Sequence, residues 1–524
     1  MPSDRLPAPP DRSRWAAWLV EVVAVTAIFA AAGSWPVPDT NEPHYLAKAR
    51  HFHDPSWCAG DFFLETSEAH HVFYRLMGPV AASLTLEQAA WVGRIAGWLA
   101  LAVGILWPLS AVVDGSPGIS GWRLLAAAIW SLAVRHTPAS GEWVIGGCEG
   151  KVFAWAFVLA SAGWFARGRP DMAWLTSSIA TAFHAIVGGW SLVAGVLAML
   201  VTRSLRPGNV AAWVGGAALA AIGVVPALAL SRGVDPAAAA EAIRAYVLER
   251  LSHHLLVDAF ADGMVARHML AIVMAWTLLA IVRRTESLDR LAAFVGGAVA
   301  IAIAGCCLSL LASVVPQVAL PLARFYWFRL ADGLVPLLLA VTVTLAFREG
   351  ALSRFGRGML AATVAILAVD LANESRHWPL PWRPEVASRA DRHVVPAAWE
   401  EVCRWVRNST PPTSRFLTPR GSSSFQWRAE RPEVVAWKHV PQDLAGIVAW
   451  RRRLLDAFTT EGVGSLRALE RSTAVFGPDR VLAVAKRYEA DYCIVPLDTE
   501  KSVGKLPFER VFANDAYAVY KVPR

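Results

Sequence analysis

Charged residues are scarce in this sequence: Asp, Glu, Lys and Arg make up 18% of its 524 residues, against about 25% in typical soluble domains. The shortage is uneven. Residues 377–524 hold 23 of the 50 Lys and Arg and 17 of the 42 Asp and Glu, so the first 376 residues are poorer still, and the long apolar runs lie there. Cysteine is equally sparse. The six (Cys58, Cys148, Cys306, Cys307, Cys403 and Cys493) show no CxxC spacing, which argues against a zinc module and leaves only a Cys403–Cys493 pairing in an oxidising compartment as a candidate disulfide. The tail carries no GxGxxG, P-loop or zinc-ligand spacing, so a bound nucleotide cofactor is not expected. No small-residue cleavage site follows the first apolar run, and residues 15–35 read as an uncleaved span. The net charge of +8 is explained by arginines at helix ends and in the tail, and does not point to nucleic acid.

What the sequence has in abundance is apolar length. Hydrophobic residues make up 55% of the chain and the mean hydropathy is +0.39. A helix needs about 20 apolar residues to cross the hydrocarbon core. Eleven runs qualify or nearly so: 15–35, 87–113, 122–137, 149–166, 171–187, 188–202, 209–230, 268–283, 290–315, 326–347 and 358–373. The stretch 171–202 reads as a tight hairpin broken at Gly188–Gly189. The short basic turns (ARGRPD, TRSLRPG, VRRTESLDR and FREGALSRFGR, together with Arg5, Arg12, Arg14 and Arg123) then fall on one side, the cytoplasmic side by the positive-inside rule. An odd number of spans places the tail on the opposite side, in the periplasm of a bacterial inner membrane.

The expected fold is therefore an α-helical polytopic membrane protein of about eleven spans, residues 1–375, followed by a soluble α/β domain, residues 376–524. Two long outer loops, 36–86 and 231–267, carry helical patterning. In the tail, WEEVCRWVRN, DLAGIVAWRRRLLDAF and PDRVLAVAKRYEA read as helices. RFLTP, EVVAWK and DYCIVPL read as strands, and FERVFANDAYAVYKV as a closing strand pair.

Ionisable groups at membrane depth are costly and mark candidate sites. Asp39 and Glu42, three apart after the first span, could act on an acceptor hydroxyl or hold a divalent cation; the plainer reading is helix capping. Asp61, Glu65, Glu68, His70 and His71 form a dense acidic and histidine cluster, or a solvated loop. Glu149 and Lys151 open an apolar helix beyond Glu142, as a cap or as a phosphate site. His184 stands in an apolar helix, where a structural role is common. Arg324 and Arg329 lie near Asp332, where they could clamp a phosphate or snorkel to the interface. In the tail, Arg420, Trp427, Arg428, Arg431, Lys438, His439 and Gln442 could bind an acidic glycan or acceptor, or form an ordinary surface.

The run WPVPDTNEPHYLAKARHF after span one resembles the acidic motif, of the type D-E-x-x-Y-A, that opens the first outer loop of the GT-C superfamily. These are multi-spanning glycosyltransferases with polyprenyl-phosphate-linked donors, among them protein O-mannosyltransferases, oligosaccharyltransferases and aminoarabinose transferases. Glu42 matches the second acidic residue and Tyr45 the aromatic; Asn41 stands at the first acidic position, with Asp39 two residues before it. Glu149 matches a second acidic residue opening span four, and His184 a Lys in the span five–six hairpin. NEPHYLAKARHF, GGCEGKVFAWAF and FLTPRGSSSFQWRAER also resemble an uncharacterised bacterial multi-spanning family.

The GT-C resemblance implies inverting transfer of a sugar from a polyprenyl-phosphate carrier to a periplasmic glycan, lipid or protein. In that scheme Glu42 or Asp39 is the catalytic carboxylate. Tyr45, Lys151, His184, Arg324, Arg329, Asp61 and His70 contact substrates, and a divalent cation bridges Glu42 and Glu149. Two other readings compete with it: a transporter, which would show internal repeats and broken helices, and a non-catalytic envelope assembly protein.

Overall fold

The computed structural model describes residues 12–205, 210–352, 355–383, 386–460, 462 and 464–523. Arg5, Arg206 and Arg354 of the basic turns lie outside them. The chain is an α-helical polytopic membrane protein with a small C-terminal sheet domain. Helix α1 (Arg12–Gly33) leads to two short outer-loop helices, α2 (Glu42–His53) and α3 (His71–Ser83). The bundle continues as α4 (Leu86–Val112), α5 (Gly121–His136), α6 (Gly150–Ala166), α7 (Pro170–Phe183), α8 (Ala185–Val201) and α9 (Val210–Ala229). A second long loop carries α10 (Pro236–Arg244), a π-helical turn (Ala245–Arg250) and α11 (Ser252–Leu255). Then follow α12 (Met264–Ile281), α13 (Glu286–Leu311), the short α14 (Pro316–Ala323), α15 (Arg329–Arg348) and α16 (Gly356–Ser375).

Eleven of these helices coincide with the eleven apolar runs. Seven of them (α1, α4, α9, α12, α13, α15 and α16) are long and apolar enough to cross a membrane by length and composition. The other four, α5 to α8, are 14 to 17 residues long. Helix α15 is the buried centre of the bundle, whereas no side chain of α16 is buried. The outward-facing Val364 and Leu371 of α16 suit hydrocarbon surroundings.

The hairpin predicted over 171–202 exists, but the break falls at His184, not at Gly188–Gly189. His184 has an extended backbone, and its Nδ1 accepts from the Val187 N–H at 3.3 Å, capping α8. Gly188 serves a different purpose: a Cβ there would lie 2.0 Å from the Thr181 backbone nitrogen, so glycine is what lets α7 and α8 touch.

The tail domain holds α17 (Pro396–Ser409), α18 (Phe425–Ala429), α19 (Leu444–Phe458), α20 (Pro478–Tyr488) and α21 (Leu497–Val503) around a four-stranded sheet. The strands are β1 (Phe416–Leu417), β2 (Tyr492–Pro496), β3 (Glu509–Ala513) and β4 (Tyr517–Lys521), in the order β1-β2-β4-β3. Strand β1 pairs parallel to β2, and the other pairings are antiparallel. Apolar spacing explains the helices: Trp399, Val402, Cys403 and Val406 form one buried stripe of α17, and Val481, Val484, Ala485 and Tyr488 one of α20, both at the i, i+3, i+4, i+7 spacing of a helix face.

Two tail expectations need correction. EVVAWK is not a strand; it meets the two-residue β1 at a single parallel bridge, Glu433 to Phe416, with the Phe416 N–H donating to the Pro432 carbonyl and the Val434 N–H to the Phe416 carbonyl, while the Glu433 N–H donates to Asp61 of the first outer loop at 2.9 Å. Cys403 and Cys493 are both free. They lie in separate apolar clusters, Cys403 packing with Ile494 and Cys493 with Val495, and alternate residues of β2 face opposite sides of the sheet.

Candidate functional site

The tail-side end of the bundle, the first outer loop and the tail domain meet around Asp39, Glu42, Glu142 and Glu149. Glu42 opens α2 and is completely buried. Arg94, in the middle of α4, grips it with two bonds, Nε to Oε1 at 2.7 Å and Nη2 to Oε2 at 2.8 Å. The Asp39 N–H donates to Oε2 at 2.6 Å and the Cys148 N–H to Oε1 at 2.8 Å. A Cβ at Gly147 would stand 2.9 Å from the Glu42 carboxylate carbon, so glycine makes room for this clasp. A bidentate Arg–carboxylate pair with both oxygens also held by backbone donors is a strong structural joint. Glu42 therefore fastens the first outer loop to α4 and to the loop 137–149, and its oxygens are not open to a substrate. Of the two carboxylates expected at the site, Glu42 and Asp39, it is Glu42 that has a donor on each oxygen.

Asp39 differs. It is 1% exposed. Its Oδ1 accepts from the Thr40 N–H at 2.7 Å, whereas Oδ2 is buried with no hydrogen-bond donor. Arg389 of the tail segment lies 3.6 Å from Oδ2, its guanidinium over the Trp35 ring at 3.7 Å and near Trp143 at 5.1 Å, and Arg94 also acts on Asp39 electrostatically. A Cβ on Gly146 would be 3.4 Å from Oδ2. Glu149 is the second carboxylate with a spare oxygen: Asn41 donates to Oε1 at 3.0 Å, and Oε2, 3.4 Å from the Lys151 ammonium, has no hydrogen bond. Buried polar atoms are rarely left without partners, and those that are call for an explanation.

Glu142 collects the nearby cations. Arg329 Nε donates to Oε2 at 2.8 Å, Lys151 is 3.9 Å away, and Trp155 Nε1 donates to Oε1 at 3.3 Å. Asp332 of α15 fixes this loop by accepting from the N–H groups of Ala139 (2.6 Å), Ser140 (3.1 Å) and Glu142 (3.2 Å) and from the Ser140 hydroxyl (2.8 Å). Arg329 also lies 3.8 Å over Tyr326, and the Tyr326 and Tyr246 hydroxyls are 3.0 Å apart. Tyr45 extends the group: burial and the charges of Glu149 and Glu142 push its hydroxyl up, so it stays a neutral donor. The rings of Tyr45 and His70 are 5.5 Å apart, and those of His70 and His184 are 4.8 Å apart. Burial holds His70 down to about 4, and hence neutral.

The structure thus brings together Asp39, Tyr45, Glu149, Lys151, Arg329, His70 and His184. Two expected members are elsewhere. Asp61 is a joint between loop and tail: it accepts from the Leu64 N–H at 2.9 Å, the Glu433 N–H at 2.9 Å and Gln426 Nε2 at 3.1 Å, because a buried carboxylate must be satisfied by whatever donors pack around it. Arg324 stands to one side, bonded to Ser231 and stacked on Phe325. Of the pair expected to bridge a cation, Glu42 is bonded by Arg94 and Glu149 accepts from Asn41 on one oxygen. Among the described residues no group of three or more His, Cys, Asp or Glu could hold a metal ion.

In the tail run, Trp427 is core and Arg428 pairs with Asp391 at 2.6 Å. Arg431 donates to backbone carbonyls of Arg407, Thr410 and Glu430. His439 is buried 3.4 Å from Glu433, and Gln442 accepts from the Ala69 N–H. Only Arg420 and Lys438 remain available.

Sequence reasoning missed Arg94 and Arg389. A lone Arg within the apolar run AAWVGRIAGW is the signal that could have found Arg94.

Comparison with known proteins adds the following. A family model described as a domain of unknown function (DUF6798) matches residues 397–457. No curated protein matches the sequence. Among solved structures, ArnT from Cupriavidus metallidurans bound to undecaprenyl phosphate is 16% identical, with 96% of this chain and 97% of that chain covered and a TM-score of 0.44. The Archaeoglobus fulgidus oligosaccharyltransferase tethered to an acceptor peptide is 11% identical, with 98% and 75% covered and a TM-score of 0.47.

Proposed function

We propose that this protein is a membrane glycosyltransferase that moves a sugar from a polyprenyl-phosphate-linked donor to an acceptor hydroxyl with inversion. The observation that carries this reading is the buried Asp39 Oδ2 without a donor, beside Glu149 and at the mouth of a membrane-embedded bundle. A carboxylate oxygen held in that state is matched by the hydroxyl hydrogen of an incoming acceptor. Asp39 takes that proton as the acceptor oxygen bonds to the anomeric carbon. The bond from that carbon to the phosphate oxygen breaks on the opposite face, and the phosphate leaves with the electron pair. Tyr45 and the neutral His70 and His184 line the approach, while Lys151 and Arg329, already balanced by Glu142 and Glu149, set the local field. An assembly role without chemistry would leave the orphaned oxygens of Asp39 and Glu149 unexplained.

A lipid-borne donor also fits a feature of the bundle. A cavity of about 680 Å³ runs between α5, α12, α15 and α16, apolar along Leu339, Val343, Phe347 and Met359. It reaches His136, Thr137, Asp370 and Asn373 at the end that leads into the loop 137–149. An isoprenoid chain lying there would place its polar end beside His136 and Thr137. In this reading the protein sits in a bacterial inner membrane with its N-terminus cytoplasmic and its tail periplasmic. The test is transfer of labelled sugar by the purified protein in proteoliposomes, from a panel of polyprenyl-phosphate donors to membrane extracts. Transfer from one donor class is expected; no transfer from any donor by folded protein contradicts the reading.

A further inference from the structure

The cations closest to the carboxylates are already balanced, which leaves open what would hold an incoming anion. Arg250 and Arg420 lie against Trp437, Lys438 follows it in the chain, and the exposed Arg392 acts electrostatically on Arg250 and Lys438; among the described residues none of the four forms an ion pair with a carboxylate side chain. Arg250, at the end of the π-helical turn, is 8% exposed. Its Nε donates to the Trp437 carbonyl at 3.2 Å and its guanidinium lies 5.0 Å from the Trp437 ring. Its two terminal nitrogens make no hydrogen bond among the described residues. Arg420 approaches the same ring at 5.8 Å, its carbonyl accepts from the Trp437 N–H at 3.1 Å, and its Nε donates to the Glu470 carbonyl. Among the described residues Arg392 bonds only the neighbouring His393 ring, and it acts electrostatically on both Arg250 and Lys438. Among the described residues Lys438 forms no hydrogen bond or ion pair. Burial and the nearby Arg250 hold it down to about 7, and the charges of Glu149 and Lys151 reach it as well.

Arg250, Arg392 and Lys438 act on one another as like charges, a cost that a bound anion would offset. Guanidinium forks match phosphate oxygens, and an ammonium adds a point charge. We propose that Arg250, Arg392, Arg420 and Lys438 form a phosphate-binding cradle through which the C-terminal domain holds a phosphorylated substrate over the Asp39–Glu149 site. The cradle depends on the transferase reading for its use but not for its binding. It assigns a role to the segment 397–457, which supplies Arg420 and Lys438. The phosphate belongs either to the lipid-linked donor or to a phosphorylated acceptor.

The test is equilibrium binding to the full-length protein in detergent, with farnesyl phosphate as the lipid-linked probe and glycerol 3-phosphate as the water-soluble one. The Lys438→Gln/Arg392→Gln double variant removes two charges that hold no other element of the fold, and Arg467→Gln, at an exposed position, is the control. The double variant is expected to weaken binding about tenfold or more and to reduce its salt dependence, with the melting temperature unchanged. Tight farnesyl phosphate binding that glycerol 3-phosphate cannot displace supports the cradle and names the donor as the source. Mutual competition supports it and names a free phosphate group. Wild type that binds neither probe, or a double variant that binds both as wild type does, overturns it. Transfer separates the two proposals. Lost binding in the variant while wild type transfers from no donor leaves the cradle and removes the transferase; unchanged transfer and KM in the double variant remove the cradle alone.

Discussion

Asp39 and Glu42 lie within one turn of chain, are equally buried and carry the same charge, yet the structure treats them in opposite ways. Glu42 has a donor for each oxygen and an arginine clamped across both. Asp39 keeps one oxygen with no donor and faces a cation from a different domain at 3.6 Å. A saturated carboxylate stabilises; an unsaturated one is available for chemistry. The pair shows that burial and charge alone do not mark a catalytic residue, and that the state of each lone pair does.

This contrast can be broken most sharply at Asp39. Asp39→Asn preserves size and removes the base, and is expected to lower transfer about 10²- to 10⁴-fold with the melting temperature near wild type; kinetics beside a thermal melt check both halves. Next is Arg94→Leu. It leaves Glu42 charged and buried with no counter-ion, a loss of about 3–5 kcal/mol that would appear as poor yield and a lowered melting temperature in detergent. If Arg94→Leu instead lowers only transfer, Glu42 belongs to the chemistry.

Asp332→Ala is expected to cost about 1–3 kcal/mol by stranding the N–H groups of Ala139, Ser140 and Glu142. It should also raise KM by loosening the Glu142 loop, seen as faster hydrogen exchange over 137–149. The smallest effect concerns pH. His70 is held down to about 4 when folded but titrates near 6.5 when unfolded. The unfolded chain therefore binds the extra proton between these values, so stability contributed by this residue is full above about 6.5 and is lost as pH falls towards 4. His70→Asn should flatten that limb of a melting-temperature–pH profile.

Much of the architecture was legible because a membrane imposes a simple rule on sequence. Eleven apolar runs became eleven helices, and the stripes of α17 and α20 were plain. Where the reading failed, the deciding partner was remote. The hairpin breaks at His184 because its ring caps α8, while Gly188 is spent on contact with α7. EVVAWK meets only the two-residue β1, at one bridge, and its Glu433 N–H goes to Asp61, 372 residues away. Asp39 and Glu149 were both singled out from local pattern. That Glu42 is a clasp required Arg94, 52 residues on, and nothing in the local motif WPVPDTNEPHY distinguishes the two carboxylates.

The most direct test of the division between Asp39 and Glu42 is a paired measurement on Asp39→Asn and Glu42→Gln, recording donor turnover and unfolding for each. The account predicts that Asp39→Asn folds as wild type and fails to transfer. It predicts that Glu42→Gln is markedly less stable, and that the fraction remaining folded transfers at a rate near wild type. A stable, inactive Glu42→Gln beside an active Asp39→Asn would contradict it.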